Sequence, residues 1–188
     1  MSGPIGRLDR ALMRHSAQVR TPGRDRVLVL ATRAANYSRL WLLIAGGLAL
    51  FGGRPGRRAA RDGVMAIAIA ASVANGPAKL LMRRRRPSAH ESGPHLIAMP
   101  MSSSFPSGHS AVAFAFATGA CGQLPSLAPA LAPLAGMVAY SRVHAGVHYP
   151  SDVLAGAAIG IGSGMIARRP AVRPQPRLTP REQEDVGR

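Results

Sequence analysis

The chain has 188 residues, 24 Lys or Arg against 8 Asp or Glu, a formal net charge of +16, and 47% apolar residues with only 4% aromatics. That length holds one domain with tails, and a single cysteine, Cys121, excludes an internal disulfide and any multi-cysteine zinc or iron–sulfur site. The positive charge invites nucleic acid as a partner, but few aromatics are available to stack on bases and the charge is gathered at the ends and in short clusters, so no nucleic-acid partner is expected.

In residues 1–37, Arg7, Arg10, Arg14, Arg20, Arg24, Arg26 and Arg33 are interspersed with Leu8, Ala11, Leu12 and Val19. This pattern predicts a short amphipathic helix lying on a membrane surface. No early apolar run of the signal-peptide kind occurs, so no cleavable signal is expected.

Four runs without Lys, Arg, Asp or Glu follow: Leu40 to Gly53, Gly63 to Ala78, Ser92 to Ser141 and Val153 to Ala167. A soluble domain rarely leaves stretches so long uncharged. Helices are predicted at 38–53, 62–82, 109–123, 127–142 and 152–167. Pro125 separates the third from the fourth, and Pro129 and Pro133 sit in the first turns of the fourth or kink it. These runs are short against the roughly 20 apolar residues of a membrane span. Flanking residues and snorkelling arginines can extend them. The expected fold is all-α, an integral-membrane bundle of about five transmembrane helices after an amphipathic N-terminal helix. A soluble Ala-rich bundle is the alternative. In the last helix Gly156, Gly160 and Gly164 fall on one face and allow close helix approach. From Arg168 onward Pro and Arg alternate with polar residues, which predicts a disordered tail over 168–188. The predicted organisation is thus a basic segment (1–37), a transmembrane domain (38–167) and that tail.

Three clusters carry chemistry. Lys79 and Arg86, followed by Pro87, close the second apolar run; Pro106-Ser107-Gly108-His109 opens the third; Ser141-Arg142, His148 and Asp152 join the fourth and fifth. Lys79, Arg86 and Arg142 are cations at helix ends, costly to bury alone, and a phosphate dianion would partner all three. Ser107 and Gly108 at a helix start add backbone N–H donors and the positive end of the helix dipole. Asp152, four residues after His148, can accept a hydrogen bond from one ring N–H, fix the tautomer and leave the other ring nitrogen free as nucleophile. His109 can protonate a leaving oxygen. Arg83, Arg84 and Arg85 fall outside the three clusters and are expected to face headgroups; His144 is expected to make a polar loop contact.

Together the clusters read Lys-x6-Arg-Pro, Pro-Ser-Gly-His and Ser-Arg-x5-His-x3-Asp, and in this the chain resembles the type 2 phosphatidic acid phosphatase superfamily. The resemblance implies His148 as a nucleophile forming a phosphohistidine, Asp152 activating it, His109 as leaving-group acid, and Lys79, Arg86, Ser107, Gly108 and Arg142 holding phosphate. It implies no metal or other cofactor. The expected function is hydrolysis of a lipid phosphate or pyrophosphate, such as phosphatidate, phosphatidylglycerophosphate or a polyprenyl phosphate. The rivals are a soluble acid phosphatase or vanadate-dependent haloperoxidase on the same site, and a non-enzymatic basic membrane- or nucleic-acid-binding protein. The expected partners are the lipid substrate and membrane lipids. A multi-pass protein of a bacterial cell membrane is expected, with its site on the extracytoplasmic face. Five spans would put the N-terminus on the face of the site.

Overall fold

A computed structural model describes residues 3–168. The predicted tail, apart from Arg168, lies outside the described residues. Helix α1 (Pro4–Gln18) begins at a proline, whose fixed φ suits a first turn. Its inner face buries Gly6, Asp9, Met13 and Ser16, while Ile5, Leu8 and Leu12 point outward. The predicted amphipathic segment is therefore helical, with its apolar stripe uncovered and the adjacent face docked. Helix α2 (Pro22–Ala34) is capped by Thr21, whose side chain accepts from the Arg24 N–H. A 3₁₀ turn at Asn36–Ser38, with Tyr37 and Ser38 at left-handed φ of 52° and 61°, bends the chain into α3 (Arg39–Phe51).

Helix α4 (Gly53–Asn75) starts nine residues earlier than the predicted 62. Arg54, Arg57, Arg58 and Arg61 form its first turns, since Arg is a good helix former and the charged end can project beyond an apolar layer. It also stops short of 82. Pro77 disfavours helical backbone at Gly76, and a separate short helix α5 (Pro77–Leu81) follows. After α6 (Ala89–Ser92) and an irregular connection come α7 (Gly108–Gln123), α8 (Ala128–His144) and α9 (Pro150–Ala167), close to their predicted bounds.

Helix α7 is the centre of the bundle. Ala111, Val112, Ala113, Ala115, Phe116, Ala117 and Ala120 bury around its whole circumference, as expected of a helix apolar on every side. It packs on α4 through Ala66, Ala70 and Ala74 and on α9 through the glycine face. Trp41 of α3 meets Phe116 with ring centroids 5.5 Å apart. Small side chains on all three central helices let their backbones approach closely.

Among the described residues, the α4–α5 segment Gly53–Leu81 and α9 are each long and apolar enough to cross a membrane. The pair Pro22–Ala34 and Asn36–Phe51, bent by 62°, would make a third span. Helices α7 and α8, of 16 and 17 residues, are shorter by a turn or less.

Candidate active site

The C-terminal ends of α4 and α8, the N-terminal ends of α7 and α9, and the connection over residues 82–107 meet at one end of the bundle. They enclose a cavity of about 610 Å³, to which α2 and the Asn36–Ser38 turn add a wall. Six of the eight predicted site residues line it: Lys79, Arg86, Gly108, His109, Arg142 and His148. Residues separated by up to 69 positions in sequence thus share one space, because α4, α7, α8 and α9 alternate in direction.

His148 sits in the α8–α9 junction, 3% exposed. Arg86 Nη1 lies 3.1 Å from its Nε2 and 2.7 Å from the Val147 carbonyl. A guanidinium can only donate, so Nε2 accepts and the ring proton resides on Nδ1. Nδ1 lies 3.7 Å from Asp152 Oδ2, within ion-pair range but beyond hydrogen-bond reach. The direct bond expected from the four-residue spacing is therefore not formed in this conformation. Oδ2 is instead occupied by the Ser104 hydroxyl (2.5 Å) and the Tyr149 N–H (2.9 Å). Burial pushes the His148 pKa down to about 4; the Asp152 carboxylate opposes this shift, and Arg86 and Arg142 reinforce it.

The cations around His148 lack counterions. No carboxylate stands within ion-pair distance of Lys79, Arg86 or Arg142 among the described residues. Lys79 Nζ reaches the Ser102 hydroxyl at 3.3 Å. Arg142 is 3% exposed, donates from Nη1 to Thr32 Oγ1 at 2.5 Å, and leaves Nε without a hydrogen-bond partner. Arg86 spends its remaining donors on Ser102 and Ser103. Arg33 lines the same cavity, so four cations face one space; they repel one another, and such a cluster suits an anion with several oxygens.

His109, one residue into α7, places Nε2 2.9 Å from Asn36 Oδ1. Gly108 and His109 also head α7, where amide N–H groups have no carbonyl partner four residues back. Ser107 behaves differently from expectation. Its N–H is spent on the Asp152 carbonyl at 3.0 Å, and its hydroxyl caps α7 through Ser110. It sets the helix start and does not line the cavity. Asp152 likewise stands behind His148, fully buried, and reaches the cavity only through it.

One expectation is overturned. Arg83 and Arg85 are exposed, but Arg84 turns inward and bonds Asp152 Oδ1 and Asp9 Oδ2, each at 2.7 Å. Residues 82–88 run outside any helix, and exposure alternates from Arg83 to Arg86, with Arg84 and Arg86 on the inner side. The run of four arginines concealed this alternation; a two-residue period ahead of Pro87 was the available signal. Ser104 and Asp9 had no comparable mark. His144 makes the anticipated polar contact, with Nε2 2.7 Å from Asp25 Oδ1.

The family model described as the PAP2 superfamily matches residues 63–178. Among solved structures, the crystal structure of Aquifex aeolicus LpxE is similar, with a TM-score of 0.70 and 28% identity, covering 84% of this chain and 92% of that one. A transmembrane PAP2-type phosphatidylglycerolphosphate phosphatase from Bacillus subtilis shares the fold, with a TM-score of 0.68 and 23% identity, covering 88% of this chain and 85% of that one. Comparison with curated proteins yields no match.

Proposed function

The chain belongs to the PAP2 superfamily, and from that membership we propose that it is a membrane-embedded lipid phosphatase acting through a phosphohistidine on His148. The observation that carries this reading is the cavity itself: three cations without counterions surround His148, whose Nε2 is held as an acceptor. Lys79, Arg86 and Arg142, with the amides at the start of α7, take the non-bridging oxygens of the phosphoryl group. An incoming oxygen replaces Nε2 as the acceptor for Arg86 and frees the nitrogen lone pair.

Nε2 then attacks phosphorus, the P–N bond forms, and the P–O bond to the lipid breaks in line with it. The departing oxygen takes a proton from His109, while Asp152 stabilises the positive charge that grows on the His148 ring. Water, deprotonated by His109, attacks the phosphohistidine, and inorganic phosphate leaves with His148 restored. The three cations supply the charge neutralisation that a divalent metal gives elsewhere, so turnover should persist in EDTA.

The lipid nature of the substrate is supported by the rim. Tyr37 lines the cavity and is 85% exposed, and Leu80, Leu81, Met82 and Met101 lie uncovered along the connections that wall it. A phosphate head at the cations leaves its chains against this apolar edge. In this reading 1–37 is a membrane-surface segment, 38–167 is the catalytic bundle and 168–188 is an appendage. The protein is a multi-pass bacterial membrane protein with its site facing outward. The test is phosphate release from phosphatidate, phosphatidylglycerophosphate and polyprenyl mono- and diphosphates by purified protein in detergent with EDTA. Release from at least one, abolished by His148→Ala, is expected; release from water-soluble esters only would overturn the lipid assignment.

A further inference from the structure

Arg84 and Asp9 lie outside the residues so far given a role, yet both are buried beside Asp152. Arg84 is 13% exposed and its guanidinium lies over the Tyr149 ring, 4.1 Å from the centroid. Nη1 donates to Asp152 Oδ1 and to the Ser151 hydroxyl, each at 2.7 Å, and Nη2 to Asp9 Oδ2 at 2.7 Å. Asp9, on α1, uses both of its oxygens: Oδ1 accepts from the Ser151 N–H at 3.0 Å and Oδ2 also accepts from the Ser151 hydroxyl at 2.6 Å. Apart from the Nη2–Asp9 bond that joins the pair, these contacts are directed at Ser151 and Asp152 in the first turn of α9.

We propose that Arg84 and Asp9 are a positioning pair for Asp152, so that the N-terminal helix α1 forms part of the catalytic unit. The proposal rests on the reading of Asp152 as the partner of His148. A fully buried carboxylate needs a counterion to stay ionised, and Arg84 is the only Lys or Arg in ion-pair range of Asp152 among the described residues. It also divides the carboxylate's work. With Oδ1 fixed by Arg84, rotation of the group is blocked and Oδ2 stays turned to His148, Ser104 and the Tyr149 N–H.

Asp9 then offsets the guanidinium, so two carboxylates against one Arg leave a net negative charge behind the imidazole. That charge favours the positive ring formed when Nε2 is phosphorylated. Arg84 does not line the cavity with His148, although it borders a second pocket with Lys79, Arg83, Arg85 and Ser103; its link to His148 runs through Asp152. Asp9 also lies outside the 63–178 segment that the family model matches.

A double-mutant cycle on the full chain in detergent tests this, with kcat and KM measured on one lipid phosphate. Arg84→Gln is expected to lower kcat at least about tenfold with KM within about threefold, Arg84→Lys to recover part of the loss, and Asp9→Asn to cost about three- to tenfold in kcat. In an Asp152→Asn background, Arg84→Gln and Asp9→Asn should each add less than about twofold, because the group they position is gone. Equal losses in both backgrounds, or losses in KM alone, would overturn the proposal. Should Arg84→Gln fail to purify folded, the Asp9→Asn cycle decides by the same criterion, since it leaves Arg84 paired with Asp152. Full activity of Asp152→Asn would instead sink the reading on which the proposal rests.

Discussion

At the scale of single residues, the site is organised by which side chains lack partners as much as by which have them. Arg142 keeps a bare Nε in a buried setting, and His148 Nε2 faces a single donor, Arg86. The depressed His148 pKa has two consequences. The ring is neutral at pH 7, so the acid limb of kcat/KM, after division by the dianionic fraction of the substrate, should break near pH 4 to 5; a break near 6.5 would mean that the ring titrates like a solvated histidine. Between about pH 4 and 6.5 the unfolded chain binds a proton there that the folded one excludes, so His148 contributes a stability loss as pH falls through that window. Lys79, Arg86, His109, Arg142 and His148 were legible because cations and histidines are scarce in apolar sequence, whereas other lining residues such as Thr32, Asn36 and Ser102 carry no such mark. Arg84 was hidden among identical neighbours, and Ser104 and Asp9 because a serine or aspartate in a loop or helix has many ordinary uses.

Among elements, the helices of the bundle were legible from charge-free runs, and their ends were less so. Charged arginines extend α4 at its start, and a Gly-Pro pair cuts it before Lys79. The glycine face of α9 has a definite partner. A Cβ at Gly160 would press on the Ala111 carbonyl and stand 2.9 Å from the Ala115 N and 3.0 Å from Phe114 Cβ, all on α7. Backbone cannot yield as a side-chain tip can, so Gly160→Ala should destabilise the protein by about 1–3 kcal/mol, read as a lower unfolding midpoint in detergent. Gly162, with open space around it, should accept Ala with little change, and equal effects at the two positions would contradict the packing described.

For the whole molecule, the direction of each helix sets the topology. Helix α1 docks onto the start of α9, so the N-terminal segment lies at the end of the bundle that holds the site. Arg54, Arg57 and Arg58 lie at the opposite end, with the start of α4. Hydropathy alone left the number of crossings weakly specified, because the central helix gains its burial from Ala and Gly contacts and needs few large apolar side chains. With the site facing outward, a single cysteine at Ser88 in a Cys121→Ala chain should react with an impermeant thiol reagent in intact cells, and one at Arg54 only after lysis. The reverse pattern would place the site on the cytoplasmic side.

In the proposed reaction the phosphoryl group passes through His148. Rapid alkaline quench of the protein turning over a ³²P-labelled lipid phosphate tests it most directly, because a phosphohistidine survives alkali and is lost in acid. Acid-labile label is expected on the peptide containing His148 in the unmodified chain and none in His148→Ala. Label that persists in His148→Ala, or turnover in that variant above a tenth of normal, would contradict it.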